Sequence, residues 1–139
     1  MSFLLDTDIV SAYTKRSMPA KLMTWLRVNE GDSFLSLVSI AEMRFGLPGI
    51  EDKDHAVLAE RLAQTEIRFI ESLEGLDVDT LVEWKKLLRQ LKTINRTMTC
   101  EDSLLAATAL HHGHTMVSAN ARHFEPASQF GLKLLNPLD

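Results

Sequence analysis

Three carboxylates far apart in the chain, Asp6, Glu42 and Asp102, together with Asn120, have the types and positions best suited to chemistry. Asp6 closes a short apolar run, Phe3-Leu4-Leu5, and Glu42 follows a second such run. Asp102 opens a helix-like segment, and Asn120 comes just after a third apolar run. Groups beyond the carboxyl ends of parallel strands collect in one place. Oxygen donors suit a hard cation such as Mg2+, which keeps several waters and takes only one or two carboxylates directly. Converging acids repel one another, and a cation relieves that repulsion. The reaction such a site supports is metal-assisted hydrolysis, in which the ion polarises a phosphoryl oxygen and makes a water more nucleophilic.

Each acid also has a purely structural reading. Ser39-x-x-Glu42 has the form of a capping box, Thr99-x-x-Asp102 is its aspartate version, and Asp6 suits the N-cap of a following helix. The two readings are compatible, since a helix N-terminus holds a carboxylate ionised. Capping alone does not require all three acids at one end of a sheet. His111, His112 and His114 bracket a helix C-terminus, where they are expected to be mostly solvated, and their spacing does not match a helical zinc pair. Cys100 has no nearby base and is expected to be a small, semi-buried residue. No Gly-rich phosphate loop and no Gly-x-Ser-x-Gly elbow is present.

The positioning elements follow from periodicity. Strands are expected at Phe3 to Leu5, Phe34 to Val38, near Leu73 to Leu76, at Thr115 to Ser118 and at Leu132 to Leu135. A helical stretch runs from Thr7 to Tyr13, and Pro19 suits the first turn of a helix with Leu22, Trp25 and Leu26 on one side. Ser39 opens a helix, with Glu42 in its first turn, that cannot run far past Gly46 and Pro48. A long helix spans about Asp52 to Phe69, with Leu58 and Leu62 at helical spacing. Leu81, Trp84, Leu88 and Leu91 mark the buried face of another. The last long helix, Glu101 to His112, has small residues (Ala106, Ala107, Ala109) for close packing and Gly113 as its C-terminal cap. Strands alternating with helices imply an α/β sandwich around a mostly parallel sheet of four to five short strands.

The 139 residues suit one domain, 1–139, with a single core. No apolar run approaches a membrane span, no leader-like N-terminus is present, and the lone cysteine excludes an internal disulfide framework. A cytoplasmic protein is the simplest expectation. The net charge of −4 gives no global basic field, but the charge is uneven. Residues 50–83 hold ten acids and three bases, whereas residues 84–96 hold five bases and no acid. Lys85, Arg89, Lys92 and Arg96 fall on one helical stripe opposite the apolar one. Such a stripe is commonly a solvated face. The lack of any acid nearby favours phosphate contact, hence RNA contact.

LLDTDIVSAY, SLVSIAEMRFGL and EDSLLAATALHHGHTMVSANARHFE, in that order, with the closing LKLLNP, resemble the PIN-domain ribonucleases of bacterial toxin–antitoxin pairs, the VapC and FitB type. The resemblance runs from Phe3 to Pro137. It implies a PIN-like α/β/α sandwich, Mg2+ or Mn2+ dependence, an RNA substrate, a homodimer and a cognate VapB-like antitoxin. Operator DNA would be met only through the antitoxin complex. Asp6 and Asp102 match the family's principal metal-binding acids, and Glu42 its third acid. Thr7 matches the small hydroxyl residue beside the first, and Arg44 an arginine often found near the glutamate. The fourth acidic position is Asn120 here, the frequent aspartate three residues on is His123, and an often acidic position is Cys100. One well-held ion is therefore expected. Glu42 is left to act through water, or on a neighbour, as readily as on the ion.

Two other readings fit parts of the chain. Asp6-Thr7-Asp8-Ile9-Val10 matches the Asp-x-Asp-x-Val signature of haloacid-dehalogenase-type phosphatases, with Asp6 as nucleophile and Asp8 as acid/base, although the later motifs of that class are missing. Alternatively, the chain acts only as one subunit of a DNA-binding repressor complex, with its antitoxin holding the acidic site closed.

Overall fold

The structure, a computed structural model, describes residues 1–47 and 52–139. Its strands are β1 (Phe3–Leu5), β2 (Ser33–Ser36), β3 (Leu73–Glu74), β4 (Thr115–Val117) and β5 (Leu134–Leu135). They form one sheet in the order β3-β2-β1-β4-β5, with each adjacent pair parallel. The helices are α1 (Thr7–Ser11), α2 (Ala20–Asn29), α3 (Leu37–Gly46), α4 (Asp52–Arg68), α5 (Val78–Thr93), α6 (Cys100–His112) and α7 (Glu125–Ser128). The expected parallel α/β sandwich is present, with β1 at the centre of the sheet.

Neighbouring residues of a strand face opposite sides of the sheet. Phe3, Leu5, Leu35 and Val117 pack with Ile9, Val10, Leu22 and Leu26 on one side. Leu4 and Met116 pack with Leu87, Leu91, Leu105 and Phe124 on the other. Both faces are covered, so the strands read as unbroken apolar runs rather than alternating ones. Ala106, Ala107 and Ala109 are fully buried, which lets α6 lie close against β1 and β4. Gly113 ends α6 at φ 71°, in the left-handed region, with its N–H bonded to Ala109 and Leu110 carbonyls. Among the described residues no helix is long and apolar enough to cross a membrane.

Several local expectations need correction. β2 stops at Ser36, and the Ser36 side chain, not Ser39, caps α3 by accepting from the Val38 N–H at 3.0 Å. Two serines three residues apart both suited the cap. Ser36 has the extended backbone a cap requires (φ −83°, ψ 146°), whereas Ser39 lies inside the helix and is buried. Glu42 therefore stands beyond the first turn and belongs to no capping box. α3 ends at Gly46 as expected; Pro48 lies outside the described residues.

On α5 the buried residues are Thr80, Leu87 and Leu91, with Trp84 and Leu88 partly buried, while Leu81 is exposed. The burial stripe is rotated because α5 packs chiefly on α6. There Trp84 Nε1 donates to Ser103 Oγ at 2.8 Å. Cys100 is exposed rather than semi-buried, because it occupies the first position of α6. The histidines are not all solvated either. His114 is buried, stacked on Phe34, and bonded to Ser2 Oγ (2.6 Å) and Glu74 Oε1 (3.0 Å).

Candidate metal centre

Asp6 leaves the carboxyl end of β1 and caps α1, so its carboxylate is fixed between strand and helix. Its Oδ1 accepts from the Thr7 N–H at 2.7 Å, and its Oδ2 accepts from the Ser118 hydroxyl at 2.8 Å, just past the end of β4. The side chain is buried. Two residues further along, in the first turn of α1, Asp8 presses on it. Burial first, and then the Asp8 charge, push Asp6 up from 3.8 to about 7 against the pull of Ser118 and Thr7. Asp8 Oδ2 accepts from Asn120 Nδ2 at 3.0 Å, and Asn120 is itself held by its N–H on Ser118 Oγ at 2.9 Å. Asp8 Oδ1 is buried and has no hydrogen-bond partner.

An unpartnered buried carboxylate oxygen is costly unless something from outside supplies positive charge. Two carboxylates with neutral partners and a vacant oxygen fit a divalent cation that takes one or two carboxylates and fills its remaining positions with water. Among the described residues no three Asp, Glu, His or Cys side chains are gathered closely enough to make a finished cage. The pair therefore offers two carboxylates and, among those residues, no third protein ligand of these types close by.

The other acids form a second group beside the first. Glu42 Oε1 accepts from the Thr7 hydroxyl at 2.9 Å, and Thr7 Oγ1 also shares a hydrogen bond of 2.9 Å with Ser39 Oγ. Partial desolvation and the nearby charges of Glu101 and Asp102 raise Glu42, and the Thr7 bond lowers it. Asp102 is held at the start of α6, where its N–H donates to Thr99 Oγ1 at 3.1 Å. His123 Nδ1 stands 3.9 Å from Asp102 Oδ2. Thr7 is therefore the link between the Asp6–Asp8 pair and the Glu42–Glu101–Asp102 group.

Next to these acids a groove of about 680 Å³ is floored by Leu37, Val38, Ala41 and Phe45, with Glu42 and Glu101 on its rim. Phe45 is 88% exposed, a large ring left open to solvent among the described residues. Arg44 does not turn toward the acids. It pairs across to Glu66 on α4, with its Nε donating to Oε2 at 3.2 Å.

Of the residues expected from sequence, Asp6, Thr7 and Asn120 meet in one network, and Glu42 joins it through Thr7. Asp102 stands with Glu42, and Arg44 stands apart. Lys85, Arg89, Lys92 and Arg96 together line a separate cavity along α5. Sequence reading passed over Ser118 and Glu101, took Ser39 only as a cap, and took Asp8 only as part of a phosphatase signature. Asp8 was visible as the second acid of Asp6-Thr7-Asp8, two positions past the cap. Ser118 was visible as the polar residue ending β4 beside β1.

Comparison with known proteins identifies the family and the fold. The family model described as PIN domain matches residues 3–128. A VapC ribonuclease, Y4jK of Sinorhizobium fredii, is 27% identical over 96% of this chain and 96% of its own length. The crystal structure of FitAcB from Neisseria gonorrhoeae superposes with a TM-score of 0.87 at 26% identity, covering 98% of each chain. A structure of FitAB bound to the IR36 DNA fragment gives 0.86 at 26% identity, over 99% of this chain and 96% of that one. A PIN-domain match over that span leaves the dehalogenase-type reading without support, although its motif did single out Asp8.

Proposed function

The chain belongs to the PIN-domain family, and from that premise we propose that it is a divalent-cation-dependent endoribonuclease, the toxin of a toxin–antitoxin pair. The observation that carries this is the Asp6–Asp8 pair at the end of β1, with its vacant buried oxygen. Asp6 and Asp8, with Asp102 reached directly or through water, would hold Mg2+ or Mn2+. When bound, such an ion would polarise a phosphoryl oxygen and acidify a water. Ser118 fixes the orientation of Asp6, and Asn120 that of Asp8. Thr7 occupies one oxygen of Glu42 and leaves the other free to take a proton from the attacking water. The uncharged Asn120 in this set favours one ion over two.

The similarity to VapC and FitAB proteins supports a VapB-like antitoxin as partner. The apolar groove with its acidic rim supports it too, since such a surface suits an apolar segment carrying arginine or lysine. Contact with operator DNA would then come through the complex, as one relative is bound to a DNA fragment, and the protein would act as a homodimer. The test uses purified protein free of any partner, mixed with single-stranded RNA. Cleavage that appears with Mg2+ or Mn2+ and stops with EDTA is expected. RNA left intact at saturating levels of both metals would refute the enzyme and favour a role confined to the repressor complex.

A further inference from the structure

We infer that the substrate's single-stranded phosphodiester backbone is held along a basic track that leaves the acid pocket past Arg122 and Arg96 and runs down α5 over Lys92, Arg89 and Lys85. The inference rests on the nuclease reading for the identity of the polymer as RNA.

Its first support is local structure. After α5 the chain reverses at Asn95, which adopts φ 54°, a left-handed conformation asparagine tolerates. The reversal lets the Arg96 N–H bond back to the Leu91 carbonyl at 3.0 Å. Arg96 is thereby folded over the end of α5, and a cavity of about 390 Å³ opens between the helix and residues 96–98. The four cations Lys85, Arg89, Lys92 and Arg96 border it. From Lys85 to Lys92 the stripe covers about 10 Å of helix axis at ~1.5 Å per residue.

Continuity is the second support. Arg96 also lines a second cavity, of about 730 Å³, whose wall includes Asn120, Arg122 and His123. Asn120 is the residue that binds Asp8, so the two cavities join the basic stripe to the acid pocket through a single shared arginine. Glu125 and Asp139 also line the second cavity, so the positive potential is strongest on the α5 side.

Third, the charges are unspent. Among the described residues no carboxylate pairs with Arg89, Lys92, Arg96 or Arg122, whereas Lys86 on the same helix has Glu83 at 4.0 Å, and Arg44 and Arg68 are both paired. Lys85 lies over the Trp84 ring, 5.0 Å from its centroid. The α5 cavity is also floored with Leu88, Leu91 and Met98. Cations beside apolar surface match a strand that presents phosphates and base faces together, and match a free inorganic anion poorly.

The test is anisotropy of a short fluorescent 2′-O-methyl RNA, which resists cleavage, in EDTA over a series of monovalent salt concentrations. Replacing Arg89→Gln and Lys92→Gln together is expected to weaken binding roughly tenfold and to flatten the log–log salt slope by about 1.4, or ~0.7 per lost phosphate contact. Lys86→Gln serves as the control and should leave both unchanged. In metal-supported cleavage, Arg96→Gln should raise KM about tenfold while kcat stays within about twofold, the pattern of lost uniform binding. A double variant with the wild-type slope overturns the track, and so does a Lys86→Gln loss as large as the double variant's. Wild-type protein that binds steeply but never cuts would overturn the nuclease reading and leave the track standing.

Discussion

Two groups built around carboxylates, one on the half-buried Glu74 and one on the Asp6–Asp8 pair, adjoin opposite ends of β1 and β4, and they are finished differently. Ser2 and His114 immediately precede β1 and β4. There Glu74, the last residue of the edge strand β3, reaches in and places Oε2 3.1 Å from His112 Nε2 and Oε1 3.0 Å from His114 Nε2, while His114 Nδ1 is bonded to Ser2. Each oxygen of Glu74 meets an imidazole, and the second nitrogen of the buried ring is satisfied. At the carboxyl end, Asp6 and Asp8 press on each other, their donors are all neutral (an amide N–H, a hydroxyl and the Asn120 side chain), and Asp8 Oδ1 has no donor among the described residues. The amino-end cluster is complete within the fold. The carboxyl-end pair keeps an unmet mutual repulsion and an oxygen with no donor, the difference on which the proposed metal site rests.

The sharpest way to break this contrast is Asp6→Asn. Cleavage should fall by more than about a hundredfold, beyond what changes around a metal's ligands cost. The variant should keep its fold, and its melting temperature should stop responding to added Mn2+. Retained turnover at saturating metal would remove Asp6 from the centre.

A second expected effect is the pH dependence of the metal-free protein. Asp6 titrates near 7 folded against 3.8 for the free residue, so between those values the folded chain keeps a proton that the unfolded chain has released. Its stability should therefore fall as pH rises from about 4 to about 7 and level off above that, a loss of a few kcal/mol at most. Urea unfolding in EDTA at about pH 5 and about pH 8 measures it. Asp6→Asn should abolish the difference, and saturating Mn2+ should reduce it by neutralising the pair. A metal-free stability that is flat or rising across this range would show that the two carboxylates are not in conflict.

The amino-end cluster should give the opposite result. Glu74→Ala strands two imidazoles, one of them buried, and should cost about 1–3 kcal/mol of stability. Cleavage per folded molecule should not change. A selective loss of cleavage would mean that the two ends are coupled, and the division drawn above would fail.

The same contrast shows what was legible in the chain. The end of β1 could be read because its apolar run stops at Asp6, whereas the expected strands to Val38 and Ser118 overran β2 by two residues and β4 by one. Both flanking helices of β1 and β4 were likewise signalled, by Asp6 and by the alanines of α6. Partnership was not legible. Nothing local says that Ser2, Glu74 and His114 belong together, because parallel strands bring distant segments side by side. Nor did the apolar period of α5 reveal which leucines would be covered. Val78, Leu81 and Val82 are exposed in its first turns, while Leu87 is buried, and the choice is made by where α6 lies. The basic stripe was legible because exposed charges need no partner to form a pattern. Its connection to the pocket depended on the reversal at Asn95, which periodicity does not report.

The smallest effect, and the one that refines the picture of the carboxyl end, concerns Thr7. It is a positioning residue, since its hydroxyl holds Glu42 and Ser39 while its N–H holds Asp6. Thr7→Val keeps the shape and the backbone N–H and removes only the hydroxyl. The loss is that of one hydrogen bond to a charged group, about 1.5–3 kcal/mol if the bond is fully used in the transition state and less if water replaces it. A fall in kcat of several-fold to about a hundredfold, with Mn2+ affinity nearly unchanged, is expected, because the metal-side contact of Thr7 is made by its backbone. Thr7→Ser restores the hydroxyl and should recover most of the rate. If Thr7→Val instead weakened Mn2+ binding and left kcat alone, Glu42 would belong with the ion rather than with the attacking water, and the two acidic groups would be one.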